Sequence, residues 1–290
     1  MDILEPGVRR RVAPNSSALT HRGTCTYVLG TGEVAVLDPG PADPGHLRAL
    51  LDHLAPGERV GAILVSHAHL DHSGGARAFA DLTGAPIFAF GGPEAGRSAR
   101  MQMLAAEGLA GGGEGVDAGF RPDVVLLDGE TVATGDWSVT ALHTPGHFCN
   151  HLSFAMGDRV FTGDVVMGWS TTLISPPDGD LDAYFATLDR LAGQGARIFY
   201  PGHGDPVSDP AARLAELAAH RGARTEQILS VLAIGPATLS ALTAQVYVET
   251  PPALHPAAAR NLFAHLVSLV FQGRVEAHPQ LSTTAIFEIA

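Results

Sequence analysis

The chain has 290 residues, 46% of them hydrophobic, with a mean hydropathy of +0.15; this supplies a sizeable core, excludes a disordered chain, and at about 150 residues per domain suggests two domains. Its 18 basic residues are all Arg and face 30 acidic ones, a formal net charge of −12, which counts against tight duplex binding but leaves room for an enzyme that touches a few phosphates. No apolar run approaches the roughly 18 residues of a membrane span, the opening MDILEPGVRRRVAPNSS lacks the apolar segment of a secretory signal, and two cysteines, Cys25 and Cys149, cannot build a disulfide framework. A reducing cytoplasm, with no membrane partner, is the expected setting.

In chain order, short β-branched and apolar runs bounded by turn residues predict strands at 26–30, 33–38, 62–67, 86–90, 124–127, 138–143, 152–156, 159–164 and 197–203. Helical patterns fall at 44–55, 73–83, 93–107 and 181–192, so strands and helices alternate as in a layered α/β architecture. The Gly-rich stretch 108–115 reads as a mobile surface loop. After HGDPVSDP the texture changes: three helical segments, each opening near a Pro, precede two short strand-like pieces. That order is the order of a winged helix, and it divides the chain into 1–207 and 208–290.

The chemistry concentrates in S-H-A-H-L-D-H, residues 66–72, directly after the apolar run AILV. On extended chain His67 and His69 point to the same side, and Asp71 and His72 follow where the chain turns into a helix. The Gly74-Gly75 pair behind them suits a tight turn where backbone approaches the site. His147, Asp164 and His203 each end or follow a predicted strand. Strand ends on one sheet edge converge, so these residues add up to five His and two Asp, a donor set suited to zinc or another first-row divalent ion.

The succession HxHxDH, TPGH, GD and PGHG resembles the metallo-β-lactamase fold superfamily over about residues 15–207. The resemblance implies an αββα sandwich with two divalent ions, zinc by expectation, at one edge. It assigns His67, His69 and His147 to the first ion and Asp71, His72 and His203 to the second, with Asp164 bridging. APNSSALTHRGTCTYVLG, the segment STTLISPPDGDLDAYFATLDRL and H-R-x-x-R at 220–224 are similar to the mitochondrial β-lactamase-like endoribonuclease group and its bacterial relatives, over nearly the whole chain. The chain departs from that group at Cys25, Phe148 and Cys149, which bears on substrate and not on metals. The same resemblance makes Asp38 an orienting partner of the ligands.

The function so implied is a dinuclear hydrolase working through a hydroxide shared by both ions. Single-stranded RNA phosphodiester is the leading substrate; an ester, thioester or lactone is the alternative, as a small-molecule substrate. A winged-helix regulator with a vestigial metal site, or a single-iron sulfur dioxygenase, would leave the seven-residue set unexplained. Asp71, Asp164 and His151 are the residues expected to move protons or organise the reaction, with Ser170, Thr171 and Thr172 positioning substrate. His143 and His151, which flank His147, are expected to support the ligands from behind or to pack, with His151 the better candidate to shuttle a proton. Cys149 is expected to be a small buried residue, and Arg9–Arg11 a solvated cluster. Residues 208–290 hold 5 Arg against 6 acidic residues, too few cations for sequence-specific DNA reading. Composition leaves the oligomeric state open.

Overall fold

The computed structural model describes residues 1–111 and 115–290. The first sheet contains β1 (Asp2–Glu5), β2 (Val8–Val12), β3 (Cys25–Leu29) and β4 (Glu33–Leu37). After α1 (Pro44–Asp52) come β5 (Arg59–Leu64), α2 (Leu70–Ser73), α3 (Ala76–Thr83), β6 (Ile87–Ala89), α4 (Ala99–Ala106) and β7 (Val124–Val125). Its seven strands lie in chain order, antiparallel up to β4 and parallel beyond it. The second sheet is built from β8 (Thr131–Thr134), β9 (Trp137–His143), β10 (Leu152–Met156) and β11 (Arg159–Gly163), then α5 (Leu181–Ala192) and β12 (Ile198–Pro201), in the order β12-β11-β10-β9-β8.

Side-chain alternation decides the layering. In β4, Ala35 and Leu37 enter the core between the sheets with Tyr27, Leu64, Phe154 and Phe161, whereas Val34 and Val36 face outward under α1 and α3, against Leu47, Leu50 and Phe79. On the far side, Val160 and Phe199 of the second sheet are covered by Leu181, Tyr184 and Leu188 of α5. The result is the expected αββα sandwich. Asp43 caps α1 by accepting the His46 N–H at 2.6 Å, and Asp180 caps α5 through Asp182 N–H and Ala183 N–H, each satisfying otherwise orphaned first-turn donors.

The C-terminal part comprises α6 (Pro210–Leu232), β13 (Ala237–Thr238), α7 (Leu239–Val246), a 3-10 turn at Pro252–Leu254, α8 (His255–Phe271), β14 (Val275–His278) and β15 (Ile286–Ile289). Three helices and a small β13-β15-β14 sheet form the winged-helix arrangement. α6 serves two cores: Leu214 and Leu217 pack on the sandwich, Ile228 and Leu232 among α7, α8 and the wing.

Several elements differ from expectation for local reasons. The strand expected to run to His67 stops at Leu64, because Ser66 N–H turns aside to Asp38 Oδ1 (2.7 Å) and Ser66 O takes the Leu152 N–H. The helix expected at 73–83 is two helices broken at Gly74-Gly75; a Cβ on Gly75 would stand 2.8 Å from Pro41 O, so only glycine lets these backbones touch. The helix expected at 93–107 begins only at Ala99, where Ser98 accepts the Met101 N–H. Arg9–Arg11 are not a solvated cluster but the middle of β2, with Arg9 paired to Glu58 and Arg10 buried, donating to Gly204 O at 3.1 Å. Of the Gly-rich stretch 108–115, residues 112–114 lie outside the described residues.

Candidate metal centre

All seven candidate ligands gather at one edge of the sandwich, where β4, β5, β9, β11 and β12 end and β10 begins. Ligand atoms of His67, His69 and His147 lie within 4.8 Å of one another, as do those of Asp71, His72 and His203 and of His67, His72 and Asp164. His69 Nδ1 is 2.9 Å from His67 Nε2 and 3.1 Å from His147 Nε2. His203 Nε2 is 3.2 Å from Asp71 Oδ2 and 3.3 Å from Asp164 Oδ2, and His72 Nε2 is 3.4 Å from Asp71 Oδ2 and from Asp164 Oδ1. Asp164 touches both groups, since its Oδ2 is also 3.9 Å from His147 Nε2.

The outward nitrogens are tethered. His147 Nδ1 donates to Leu173 O at 2.7 Å, His203 Nδ1 to Gly23 O at 3.2 Å, and His72 Nδ1 to Asp38 Oδ2 at 2.9 Å. His67 Nδ1 reaches Ser66 Oγ (3.0 Å), whose own proton goes to Asp38 Oδ2 (2.7 Å). Each tether holds its ring and aims the other nitrogen inward, and on the neutral imidazoles of His67 and His147 it fixes the tautomer as well. Asp38 thus orients one histidine in each group, His72 directly and His67 through Ser66. It does so from a left-handed backbone (φ 49), a conformation that Asp tolerates better than most residues. Gly202 makes the closing of the edge possible: a Cβ there would sit 2.4 Å from Asp164 Oδ1.

Such a set is unfinished without a cation. Asp164 Oδ1 is buried and accepts no hydrogen bond, and the inward nitrogens of His67 and His147 stand 2.9 and 3.1 Å from the same His69 Nδ1. Burial and neighbouring imidazoles hold His67 well below the usual range, and burial with His147 brings His69 down to about 3. In the other group, against burial, the carboxylates of Asp71, Asp164 and Asp38 hold His72 well above its ordinary value, and Asp164 leads those raising His203 to about 9. Asp71 and Asp164 themselves fall well below the carboxylate range, opposing burial, through His72 and His203. Imidazole nitrogen mixed with carboxylate oxygen is the chemistry of a first-row divalent ion, and these residues fit one.

The remaining candidates lie behind this layer. His151 is fully buried, with Nδ1 at the Thr144 hydroxyl (2.9 Å) and Nε2 accepting the Asp164 N–H (3.2 Å). With both nitrogens engaged it has none to offer a substrate, so the geometry corrects the expectation of a proton shuttle to that of a support for Asp164. His143 stacks on Phe90 at 3.9 Å and bonds Cys149 O. Cys149 is a buried thiol, pushed up to about 12 by burial. Thr172 Oγ1 is buried against His147 Nδ1 (2.9 Å) and does not face a substrate. The sequence reading missed Thr24, which donates to Asp71 Oδ2 (3.0 Å), and Asn150, which accepts the Ala68 N–H between His67 and His69. A polar residue in a turn carries no signal of such a role until the turn's neighbour is known. An open cleft of about 590 Å³, walled by Pro93, Arg97, Val116, Ala118, Arg121 and Asp178, adjoins His69 through the backbone bridge of His69 to Val116.

Residues 20–203 match the metallo-beta-lactamase superfamily, and residues 238–283 match the beta-lactamase associated winged helix domain. The Drosophila melanogaster protein named beta-lactamase-like protein 2 homolog is 30% identical over 283 residues, 94% of this chain and 90% of that protein. The atrochrysone carboxyl ACP thioesterase of Aspergillus fumigatus is 28% identical over 240 residues, 80% of this chain and 67% of that protein. Among solved structures, a metallo-beta-lactamase family protein from Thermus thermophilus superposes with a TM-score of 0.78 at 26% identity, covering 99% of this chain and 100% of that one. Sandwich, ligand edge and winged helix therefore agree with the matches on a single assignment: the chain belongs to the metallo-β-lactamase superfamily and is a metal-dependent hydrolase.

Proposed function

We propose that the protein is a dinuclear zinc hydrolase of an acyl ester or thioester. The observation that carries the two-metal reading is the convergence of two three-residue donor groups on one shared carboxylate, Asp164. His67, His69 and His147 would hold one ion, Asp71, His72 and His203 the other, with Asp164 between them. Bound there, the ions supply Lewis acidity, activating water and neutralising charge that develops on the substrate. Asp164 fixes the separation of the two groups, and His151 holds the Asp164 backbone. Asp71, the most exposed carboxylate of the cluster, is anchored at Oδ2 by the Thr24 hydroxyl.

Two observations favour an acyl substrate. One relative over 80% of the chain is named a thioesterase. Three arginines near the cluster are also tied to carboxylates, Arg10 to Asp2, Arg22 to Asp205 and Arg97 to Asp178, and Arg121 of the cleft is engaged by the Ala118 and Phe120 carbonyls. Among the described residues, then, these cations do not form a free row that could track a phosphate backbone. Single-stranded RNA is the second reading, favoured by similarity that extends through the C-terminal module to the beta-lactamase-like protein 2 homologue. Sequence-specific DNA is not a proposed partner, because α8, the helix in the recognition position, buries Leu262 through Leu269 inside the protein. A cytoplasmic setting is supported by two buried free thiols. Among the described residues no helix is long and apolar enough to cross a membrane.

The test is turnover by the zinc-loaded protein on a thioester, ester and lactone panel beside fluorogenic single-stranded RNA. Faster cleavage of RNA than of every acyl substrate replaces the first reading by the second. Elemental analysis is expected to give about two equivalents of zinc per chain, as a two-metal site requires; a single tightly held iron would overturn the dinuclear reading.

A further inference from the structure

H-R-x-x-R at 220–224 lies on α6, outside the ligand edge, and its first arginine is in an unusual situation. The Arg221 side chain is buried, 1% exposed, and among the described residues it has no carboxylate partner. Its guanidinium donates to Thr172 O and to Asn261 Oδ1 (3.1 Å), and lies 5.6 Å from the Tyr184 ring centre; its Nε has no partner. Asn261, on α8, accepts the Ile174 N–H with the same oxygen at 2.9 Å. Between those two anchor points stand the groups that hold His147: Leu173 O and Thr172 Oγ1, 2.7 and 2.9 Å from its Nδ1. Upstream, Arg213 grips the same segment at Met167 O (2.8 Å) and Ser170 O (2.6 Å).

A buried cation without a counter-charge is costly, and hydrocarbon would fill the same space at less cost. What hydrocarbon cannot do is hold two acceptors in a fixed fork. The carbonyl run 172–174 has no strand or helix of its own to define it, so its shape depends on these donors and on Asn261. If it relaxes, His147 loses the acceptor that sets its tautomer and ring plane.

We infer that Arg221 and Asn261 are positioning residues through which the C-terminal helices fix the orientation of His147, so that the winged-helix module completes the metal site. The inference rests on the reading of His147 as a ligand, and His147→Ala serves as the control that separates the two. In the full chain, Zn²⁺ affinity is measured by competition with a chromophoric chelator, and Co²⁺ is used as a probe whose absorption reports ligand geometry. Arg221→Ala is expected to weaken Zn²⁺ binding on the order of tenfold, the range for partners behind a ligand, and to alter the Co²⁺ spectrum. Arg221→Lys is expected to recover only part of this, because an ammonium cannot reproduce the fork. Asn261→Ala, at a half-buried position, is expected to act in the same direction and keeps the test open if Arg221→Ala does not fold. Arg224→Ala removes a cation three residues along, which among the described residues bonds Val246 O and Gln227 and lies over the Tyr247 ring, and is expected to leave both readouts unchanged. Wild-type affinity and spectrum in a folded Arg221→Ala or Asn261→Ala, with His147→Ala impaired, would overturn the inference. An unimpaired His147→Ala would instead overturn the ligand assignment.

Discussion

The two halves of the ligand edge use the same side chain in opposite ways. Around His69, three imidazoles crowd together behind the fully buried face of Phe148, and burial drives their protons away, His69 down to about 3. A few ångströms off, His72 and His203 are as deeply buried, yet Asp71 and Asp164 keep them protonated, His203 up to about 9. Burial alone therefore does not set the state of an imidazole here; the carboxylates do. One half offers neutral lone pairs at once, and the other must exchange protons for a cation.

The strongest way to break this contrast is Asp164→Asn, since among the described residues that carboxylate alone touches both halves. The amide keeps the shape and removes the charge. Turnover is expected to fall on the order of 10²-fold or more, about 3 kcal/mol, with metal content reduced and circular dichroism unchanged; near-wild-type turnover with two metals bound would show that the residue does not bridge. Asp38→Asn probes the layer beneath. Asn tolerates the left-handed backbone, so the fold is expected to survive while metal affinity drops about 10–100-fold. The half containing His72, bonded directly to Asp38, should lose more than the half containing His67, bonded through Ser66. Equal losses from both would remove that distinction.

Outside the site, His46 extends the rule of the carboxylate-poor half. Burial, and then Arg11, lower it from 6.5 to about 4 beside the Thr26 hydroxyl. The unfolded chain then takes up a proton from about pH 6.5 downward while the native state does not until about pH 4. Stability is expected to be full above that window, to fall as pH drops through it, and to level off below about 4. The limit is about 3 kcal/mol, and about 1–2 once the native ring relaxes. His46→Gln should flatten chemical-denaturation stability between pH 6.5 and 4; an unchanged slope would reject the assignment. The smallest effect is expected from His143→Ala, which removes a ring stacked on Phe90 and one bond to Cys149 O. Stability should drop by about 1–2 kcal/mol with metal content unchanged, as read by thermal melting and elemental analysis.

Much of the ligand edge could be read before the fold was known, because metal chemistry demands a dense and unusual residue set: nothing in packing explains His67, His69, Asp71 and His72 within one turn of chain. The two sheets of the sandwich were legible from apolar runs, except β1, β2 and β8, whose residues are polar or charged on one side. The triple Arg of β2 reads as solvated surface until Glu58 and Gly204 arrive from distant segments. The tethers were invisible for the same reason. Leu173 and Gly23 contribute only backbone oxygens, which any residue could supply, and Arg221 sits 49 residues from the carbonyl it holds. His151 misled because proximity in sequence to His147 says nothing about which way the ring faces.

α6 has a mechanical consequence. A single 23-residue helix is clamped at one end by Leu214 and Leu217 on the sandwich and at the other by Ile228 and Leu232 in the winged helix. It is an axle with no joint, so the two parts have no hinge about which to swing. They are expected to melt in one transition, and a protease has no slack linker to find between them. A gene fragment ending at residue 207 would leave Val160, Leu188 and Phe199 without the lid that Leu214 and Leu217 provide. Shuffling such modules between proteins would accordingly require the helix to travel with the face it covers.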